Sequence, residues 1–413
     1  MTSDSRGSAE HAARDIAAKL QQAGHQAYFA GGCVRDQLLG RQAEDFDIAT
    51  SADPSQVQKV FPRARGVGEF FGVMLVYKNG WPVQVATFRK EGPYTDHRRP
   101  DSVSSATVEE DSARRDFTIN GMYWDPVAER LIDFHEGKQD LEKGVVRAIG
   151  RPVDRLEEDH LRMLRAVRFA SRFGFDIEDA TAEAIRDHST GLAGISQERI
   201  GEEIRRMLLN GNRALAAAFL ESLGLSESVL GEKTSCENGT RHLVSIQGEL
   251  SRSDYPVAVA AWAKDMGLES SPELLASRWR LQLKLSNADR DGLQAILEII
   301  ERLRAQWKKM GVAAQKRVAS LHWFEAARCL LSVDCPEMAS RISEDVQVLS
   351  STGLAPARLL SGSALLESGM PPGPRFGEII EAVYDAQLEG RIHSLEEALT
   401  LAKDISQKSE SHD

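Results

Sequence analysis

Short alternating runs of apolar and polar residues occupy the first third of the chain and indicate strands. The runs Val73–Tyr77 and Val83–Phe88 are rich in β-branched and aromatic residues, which fit a pleated, half-buried sheet surface. Asn79 and Gly80 lie between the two runs, and Asn-Gly in this position is a strong signal for a hairpin turn. This segment therefore predicts a pair of antiparallel strands.

Short helices alternate with the other strands of this region. An alanine-rich stretch that ends in glycine predicts the first helix, and a proline after Asp53 favours another helix start. The elements predicted before residue 62 are helices at 9–24, 34–39 and 55–61, and strands at 26–30 and 46–48. Such a mixture predicts an α+β head.

Helical periodicity replaces the strand patterns from about residue 154 onward. Apolar residues then recur every three or four positions, as in amphipathic helices. The predicted helices cover 156–173, 179–187, 196–209, 212–223, 255–264, 272–284, 287–306, 312–331, 336–349, 355–367, 375–388 and 394–405. Turn-rich residues at 231–241 and the Pro-Pro-Gly-Pro stretch at 371–374 are the candidate breaks.

A glycine pair and a carboxylate pair are the first candidates for chemistry. Gly31 and Gly32 predict a tight turn, where backbone N–H groups can approach a phosphate. Asp45 and Asp47 follow on a predicted strand, whose period of two places both carboxylates on one face. Paired carboxylates can hold Mg²⁺, which takes oxygen ligands and shares them with substrate phosphates. Either pair alone is more often a plain turn or a solvated strand end.

Composition narrows the class of protein. The hydrophobic content of 42% and the charged content of 27% are ordinary for a soluble globular chain. No apolar run reaches membrane-spanning length, and no secretory signal is visible. Four scattered cysteines favour a reducing cytoplasm. The net charge of −11 argues against a general nucleic-acid binder. A chain with this net charge can still carry a local basic surface that binds nucleic acid.

Two arginine-rich segments supply local positive charge. Residues 114–120 combine two guanidinium groups, which suit a triphosphate, with the short polar side chains of Asp116 and Asn120. Residues 158–172 place a basic stripe on one face of the predicted helix, formed by Arg162, Arg165, Arg168 and Arg172. In isolation, the first segment is better explained as a charged strand end followed by a turn, and the second as an ion-paired solvated helix.

In combination, these motifs resemble those of a known family. The Gly-Gly turn followed by Asp-x-Asp is similar to the signature of DNA polymerase β-like nucleotidyltransferases. The fuller pattern is similar to the class II tRNA nucleotidyltransferase (CCA-adding enzyme) and bacterial poly(A) polymerase family, on the motifs GGCVRD at 31–36, DFD at 45–47, RRDFTIN at 114–120 and EDHLR at 158–162. The resemblance is strong over 26–210 and weaker over 211–413.

The resemblance implies a role for each motif. Asp45 and Asp47 would be catalytic and would bind Mg²⁺, while Glu158, Asp159 and Arg162 would select the incoming base by matching the hydrogen-bonding edges of C and A. The other implied nucleotide-binding residues are Gly31, Gly32, Arg35, Arg115, Asp116, Asn120, Arg165 and Arg168. A loop carrying Tyr94, Arg98 and Arg99 would take part in the final addition of A. Arg199 resembles part of the family's neck helix and would support the base-selecting segment.

Two positions depart from the family pattern. Gln84 stands where relatives often carry Glu, and because a neutral amide is a poorer metal ligand, Gln84 is not counted as one. Residues 68–71 read Gly-Glu-Phe-Phe, without the basic pair that the polyadenylating branch tends to show. The second departure weakens the poly(A) hypothesis and leaves it open.

The motifs lead to one expected architecture and three functional hypotheses. We expect an α+β protein with a polymerase β-like head containing a mixed sheet (1–148), followed by an all-α neck (149–215), body (216–350) and tail (351–413). The leading hypothesis is template-independent addition of C, C and A to the 3′ end of tRNA from CTP and ATP, with pyrophosphate release. The first alternative is addition of A alone, by a poly(A) polymerase or by the A-adding half of a split pair. The second is a non-catalytic RNA-binding protein on the same scaffold.

Overall fold

The computed structural model describes residues 3–43, 45–67, 72–92, 100–232, 239–267, 270–370 and 375–410. The chain divides into two compact units. Unit 1 comprises Met1–Cys236 with Gly248–Leu250 and Leu281–Lys284, and unit 2 comprises Glu237–Gln247, Ser251–Arg280 and Leu285–Asp413. The predicted division into head, neck, body and tail stays a prediction.

Unit 1 contains a mixed sheet. Its strands, in chain order, are β1 Ala27–Ala30, β2 Ile48–Thr50, β3 Arg65–Gly66, β4 Val73–Lys78, β5 Trp81–Thr87, β8 Tyr123–Asp125 and β9 Arg130–Ile132. Among the described residues, these strands lie in the order β3-β4-β5-β2-β1-β8-β9. Strands β2 and β5 pair in parallel and the other neighbours pair antiparallel. The sheet confirms the predicted α+β class.

The predicted hairpin is confirmed by strands β4 and β5. They pair antiparallel from Val73 to Lys78, with Lys78 opposite Trp81. Both turn residues have positive φ, 52° at Asn79 and 84° at Gly80. Two positive φ angles give the hairpin turn whose twist matches the flanking strands, and they explain the Asn-Gly sequence.

Two further pairs of short strands lie outside the main sheet. Strands β6 Arg89–Glu91 and β7 Val103–Ser105 pair antiparallel. Strands β10 Val145–Val146 and β11 Asp176–Ile177 pair in parallel. The β10–β11 pair therefore joins the segment before α6 to the segment after α7, the helices described next.

The helices of unit 1 surround the sheet and continue beyond it. They are α1 Ser3–Gln22, α2 Gly32–Leu38, α3 Pro54–Val60, α4 Val108–Ala113, α5 Gly137–Lys143, α6 Pro152–Glu158, α7 Leu161–Phe173, α8 Asp179–His188, α9 Gln197–Leu209, α10 Arg213–Ser222 and α11 Ser226–Leu230. Short 3₁₀ helices cover Thr118–Asn120 and Ser189–Gly194. Helix α7 buries an apolar face that includes Met163, Leu164 and Val167, which sets its arginines on the other side.

From residue 241 onward, the regular elements in the described part of the chain are helical. They are α12 Arg241–Ser245, α13 Tyr255–Asp265, α14 Pro272–Gln282, α15 Asn287–Gln306, α16 Val312–Ala319, α17 Phe324–Asp334, α18 Pro336–Ser350, α19 Gly362–Glu367, α20 Phe376–Leu388 and α21 Leu395–Glu410, with 3₁₀ turns at Arg252–Asp254 and Trp307–Lys309. None of the helices in the described ranges is both long and apolar enough to cross a membrane.

Several predicted helices are wrong in extent, and three differ most. The predicted helix 156–173 is interrupted after Glu158, and the predicted helix 312–331 is interrupted after Ala319. The helix predicted from residue 355 begins only at Gly362, where Ser361 caps it by accepting a hydrogen bond from the Ala364 N–H. Short polar side chains such as serine compete with the helix for backbone hydrogen bonds, and a periodicity pattern does not register this competition.

Candidate active site

An open cleft of about 630 Å³ lies within unit 1 and collects most of the predicted site residues. The strands β1, β2, β4 and β5 contribute to its wall, as does the arginine face of α7. The predicted residues that line it are Gly31, Gly32, Arg35, Asp47, Arg115, Asp116, Asn120, Asp159, Arg162, Arg165 and Arg168. Asp45 lies two residues before the lining residue Asp47, and Glu158 directly precedes the lining residue Asp159, but neither Asp45 nor Glu158 lines the cleft. Tyr94, Arg98 and Arg99 lie outside the described residues, as do residues 68–71.

The glycine pair forms the turn that starts α2. Gly31 has φ 72° and ψ −122° and precedes the first helical residue, Gly32. A Cβ atom at Gly31 would lie 3.0 Å from Arg115 Nη1, so a side chain there would be strained and would also crowd this arginine. Glycine at position 31 therefore allows Arg115 to approach the turn.

The two aspartates lie just before strand β2 and not on it, which corrects the predicted strand at 46–48. The backbone is nevertheless held beside β1, because the Ala30 N–H donates to the carbonyl oxygen of Asp47 at 3.0 Å. Both side chains are open to solvent, and Asp47 lines the cleft. The walls of the cleft displace water from around Asp47 and raise its pKa, and the charge of Asp45 raises this pKa further, against the opposing effect of Arg115.

This arrangement fits a divalent cation with oxygen ligands. Asp47, whose pKa is raised by burial and by the nearby charge of Asp45, belongs to a carboxylate donor set that a cation would stabilise. Within the described ranges, no group of three or more His, Cys, Asp or Glu side chains is placed to hold a metal ion. Mg²⁺ commonly takes only one or two carboxylates from the protein and completes its shell with water and substrate phosphates. Gln84 also lines the cleft.

A chain of hydrogen bonds links α2, the 3₁₀ turn and α7 across the cleft. Arg35 Nη1 donates to Asn120 Oδ1 at 2.6 Å, and Asn120 Nδ2 donates to Asp116 Oδ1 at 3.0 Å. Asp116 Oδ2 then accepts from both Nε (2.8 Å) and Nη2 (2.6 Å) of Arg165. Burial alone would raise the pKa of Asp116, but the charge of Arg165 and the hydrogen bond from Asn120 outweigh burial and lower this pKa to about 2. Asp116 is therefore a fixed anion that orients Arg165.

The predicted base-selecting residues lie at the interruption between α6 and α7. Asp159 is extended, with φ −149° and ψ 103°, so Asp159 and Arg162 do not share one continuous helix as predicted. Asp159 Oδ1 accepts from the Leu161 N–H at 3.0 Å, and its Oδ2 accepts from Arg199 Nη2 at 2.7 Å. The bond from the Leu161 N–H to the Asp159 carboxylate is a local side chain–backbone contact that competes with a continuous helix here.

Arg162 is held from three directions. Its guanidinium donates to the Arg155 carbonyl oxygen at 2.7 Å, to the carboxylate of Glu158, and at 3.4 Å to the carbonyl oxygen of Arg114. Glu158 thus acts on Arg162 in this structure and does not reach the cleft lining. Asp159 and Arg162 both line the cleft and present an acceptor and donors on one side of it.

Sequence analysis did not identify two buried carboxylates of this site, Asp111 and Glu203. Asp111 Oδ1 accepts from Arg114 Nη2 at 2.7 Å, and its Oδ2 lies 3.4 Å from Arg115 Nη2. Spacings of three and four residues on a helix could have indicated this cluster. Glu203 on α9 lies beside Arg165 and Arg168, and no local spacing signals that contact.

The cleft is strongly basic although the whole chain is acidic. Eight arginines and four carboxylates line it, whereas the chain carries a net charge of −11. The four arginines of the predicted stripe, Arg162, Arg165, Arg168 and Arg172, all face it. A concave surface with this excess of guanidinium groups suits a polyanion such as a nucleoside triphosphate.

Comparisons with known proteins identify the family of this chain. Residues 27–147 match the model of the poly A polymerase head domain, and residues 174–234 match the probable RNA and SrmB-binding site of polymerase A. The chain is 33% identical to a CCA-adding enzyme of Lactobacillus johnsonii over 94% of this chain and 96% of the relative. It is 35% identical to a CCA-adding enzyme of Streptococcus pyogenes over 91% of this chain and 92% of the relative.

A solved structure resembles the whole chain. The crystal structure of the Bacillus stearothermophilus CCA-adding enzyme in complex with CTP superposes with a TM-score of 0.75 at 27% identity, and the match covers 98% of this chain and 99% of that one. The sequence resemblance, the sheet and the arginine-lined cleft thus agree with the relatives found. The chain belongs to the CCA-adding enzymes, the tRNA nucleotidyltransferases that share a head domain with poly(A) polymerases.

Proposed function

We propose that this protein adds C, C and A to the 3′ end of tRNA, using CTP and ATP and releasing pyrophosphate. The observation that carries the proposal is that one basic cleft contains the carboxylate Asp47, a cluster of arginines, and the Asp159–Arg162 pair. Nucleotide transfer without a nucleic-acid template requires three parts. These are metal ligands for the chemical step, groups that bind the phosphates, and groups that select the base. The relatives named CCA-adding enzymes support this choice of product.

Nucleotidyltransferases of this superfamily generally use divalent metal ions, and we propose Mg²⁺ for this chain. Asp45 and Asp47 would hold the ion, since they are neighbouring carboxylates just before strand β2. A bound Mg²⁺ would make the terminal 3′-hydroxyl of the RNA a better nucleophile and neutralise charge on the phosphates. Arg115 contributes positive charge beside Asp47 from the protein itself.

The arginines bind and orient the triphosphate in this proposal. Arg165 is fixed by two hydrogen bonds from its guanidinium to Asp116. Arg115 is held by Asp111 and by Tyr123 Oη, to which its Nε donates at 3.1 Å. Guanidinium groups held in this way lose little conformational entropy when they bind phosphate oxygens.

Asp159 and Arg162 choose the base. Arginine supplies N–H donors and aspartate supplies oxygen acceptors, so the pair can complement the edges of C and A, whereas G and U present the wrong order of donors and acceptors. The bond from Arg199 to Asp159 and the three contacts of Arg162 keep both groups oriented before a nucleotide arrives. We propose that the helical regions that follow hold the tRNA by its phosphates and its shape, and that the protein works in a reducing cytoplasm.

Addition of A alone is the second candidate. The head-domain model that matches residues 27–147 is named for poly A polymerase, and the head is the part that carries Asp45 and Asp47. The relatives over the full length are CCA-adding enzymes, which favours the first candidate. A silent RNA-binding protein is disfavoured because both carboxylates are retained.

Pyrophosphate release tests the proposal. Full-length protein is mixed with Mg²⁺, with a tRNA that lacks its terminal C, C and A, and with CTP, ATP or both. We expect release with both nucleotides and with CTP alone, and none without tRNA. Release with ATP alone but not with CTP alone would support A addition, and tRNA binding without release under any condition would support the silent RNA-binding protein.

A further inference from the structure

Glu203 is a buried carboxylate that lies behind the arginines of the cleft. Its exposed fraction is 5%, and within the described residues it does not line the cavity. Its Oε2 atom lies 2.6 Å from Arg168 Nε, and its Oε1 atom lies 4.0 Å from Arg165 Nη1. Because both arginines line the cavity, Glu203 reaches the cleft only through them.

The two arginines differ in how they are held. Asp116 binds Arg165 with two hydrogen bonds, so Arg165 has a strong anchor besides Glu203. In the described part of the chain, Glu203 is the ion-pair partner of Arg168, and Arg168 Nε makes no hydrogen bond of good geometry. The ring of Phe169 covers one face of the Arg168 guanidinium, with its centroid 4.3 Å from Cζ. Arg168 is thus held by one carboxylate and one aromatic face.

Arg168 also lies among like charges. Burial, followed by the charges of Arg165 and Arg206, lowers the pKa of Arg168 to about 10, and Glu203 opposes this change. Removing the negative charge would leave two neighbouring guanidinium groups to repel each other with less compensation. Without a ligand or a carboxylate, Arg168 would turn toward solvent.

We propose that Glu203 is a positioning residue, which holds Arg168, and more weakly Arg165, with N–H donors directed at the phosphates of the incoming nucleotide. This inference rests on the proposed function, because it assigns Arg168 to a nucleoside triphosphate. Its effect belongs to nucleotide binding, since Glu203 is buried away from the reacting atoms and from any base contact. A loss of position therefore raises the KM for both CTP and ATP.

The substitution Glu203→Gln tests this role in the full-length protein. It keeps the shape of the side chain and removes the charge, and we expect the KM for CTP and for ATP to rise roughly ten-fold, because Arg168 loses the carboxylate that holds it. The kcat and the KM for tRNA should stay within about two-fold of wild type. Glu202→Gln is the matched control on the same helix, because Glu202 forms an exposed pair with Arg206, and its KM values should not change.

A double-mutant cycle separates positioning from a purely structural role. If Glu203 acts through Arg168, then Arg168→Ala and Arg168→Ala combined with Glu203→Gln should show the same KM for nucleotide. Multiplicative KM increases would overturn the proposal, and so would a Glu203→Gln variant with unchanged KM and a lower melting temperature. Glu203→Asp retains the charge on a shorter side chain and should give an intermediate KM.

The outcomes for the function and for the positioning role are distinguishable. Wild-type protein that incorporates neither nucleotide would refute the proposed function. An active wild type with unchanged KM in the Glu203 variants would refute the positioning role alone. If Glu203→Gln does not fold, Glu203→Asp takes its place, and a KM equal to wild type in that variant would overturn the proposal.

Discussion

Asp45 and Asp47 are the side chains on which the proposed chemistry depends most directly. They lie just before β2, and the charge of Asp45 adds to the effect of burial in raising the pKa of Asp47. Asp47→Ala or Asp45→Ala should abolish nucleotide addition in Mg²⁺ and leave tRNA affinity within a few-fold, because metal ligands serve the chemical step and other surfaces bind the RNA. Incorporation of labelled nucleotide and a tRNA binding titration measure the two effects.

Gln84→Ala is the control for that prediction. Gln84 lines the same cleft, but a neutral amide is a poor metal ligand, so its loss should be far milder. Near-wild-type nucleotide addition by Asp47→Ala would contradict the proposal that Asp47 is a metal ligand. A loss with Gln84→Ala as complete as that with Asp47→Ala would show that the amide belongs to the metal site.

Asp159 and Arg162 should affect the choice of base more than the rate of chemistry. Each planar contact to a base edge is worth roughly 1–3 kcal/mol of discrimination. Asp159→Ala or Arg162→Ala should therefore raise incorporation of U and G relative to C, measured in competition between nucleotides. Arg162 also binds Glu158 and the carbonyl oxygens of Arg155 and Arg114, so an equal loss of rate for all four nucleotides would instead indicate a structural role.

Asp116 should make stability depend on pH in the acid range. Its pKa is about 2 in the folded protein, against an ordinary aspartate value of 3.8, so folding is stabilised by about 2 kcal/mol above the unfolded pKa. A lowered folded pKa means that this contribution is present at pH 7 and is lost as the pH falls from about 4 to about 2. Urea unfolding should show a deficit in Asp116→Asn that is largest at neutral pH. A deficit of the same size at pH 7 and at pH 2.5 would contradict the ion pair with Arg165.

At the scale of elements, the turn before α2 controls how closely Arg115 approaches it. Gly31→Ala should cost about 1 kcal/mol of stability for its positive φ, and it should also raise the nucleotide KM roughly ten-fold, because its Cβ would lie 3.0 Å from Arg115 Nη1. Gly40→Ala is the matched control, since Gly40 has φ 66° and nothing within 4 Å of an added Cβ. Equal KM values for the two variants would show that Arg115 is not held by this turn.

The elements also show what a sequence pattern predicts and what it does not. The hairpin β4–β5 and the helix α15 follow from local signals, the Asn-Gly turn and the capping box of Ser286 and Asp289. The break between α6 and α7 was not predicted, because apolar periodicity continues through Asp159 while its side chain accepts a hydrogen bond from the Leu161 N–H. A single competing carboxylate outweighs the pattern there.

In the candidate site too, some residues could be predicted from the sequence and others could not. Residues within contiguous motifs, such as Arg115, Asp116 and Asn120, could be named from sequence because the motif at 114–120 resembles that of a known family. The contact of Glu203 with Arg168 joins residues on different helices, and such a contact depends on how α7 and α9 pack. The roles of these residues are still predictions, which the substitutions above test.

At the scale of the whole molecule, charge is distributed unevenly. The chain has a net charge of −11, yet eight of the side chains that line the cleft are arginines. An acidic total limits nonspecific attraction to nucleic acids, while the local basic surface attracts a triphosphate and the phosphates of an RNA end. The full-length match to CCA-adding enzymes makes the identity of the added nucleotides the central claim.

Sequencing of the 3′ ends made on a tRNA that lacks C, C and A tests that claim most directly. Wild-type protein is supplied with Mg²⁺ and with CTP alone, ATP alone, or both. The account predicts that CTP alone extends the tRNA by C residues and then halts, and that both nucleotides together give ends that read C, C, A. Products that carry only A, with CTP ignored, would contradict it and would identify an A-adding enzyme or a poly(A) polymerase on the same fold.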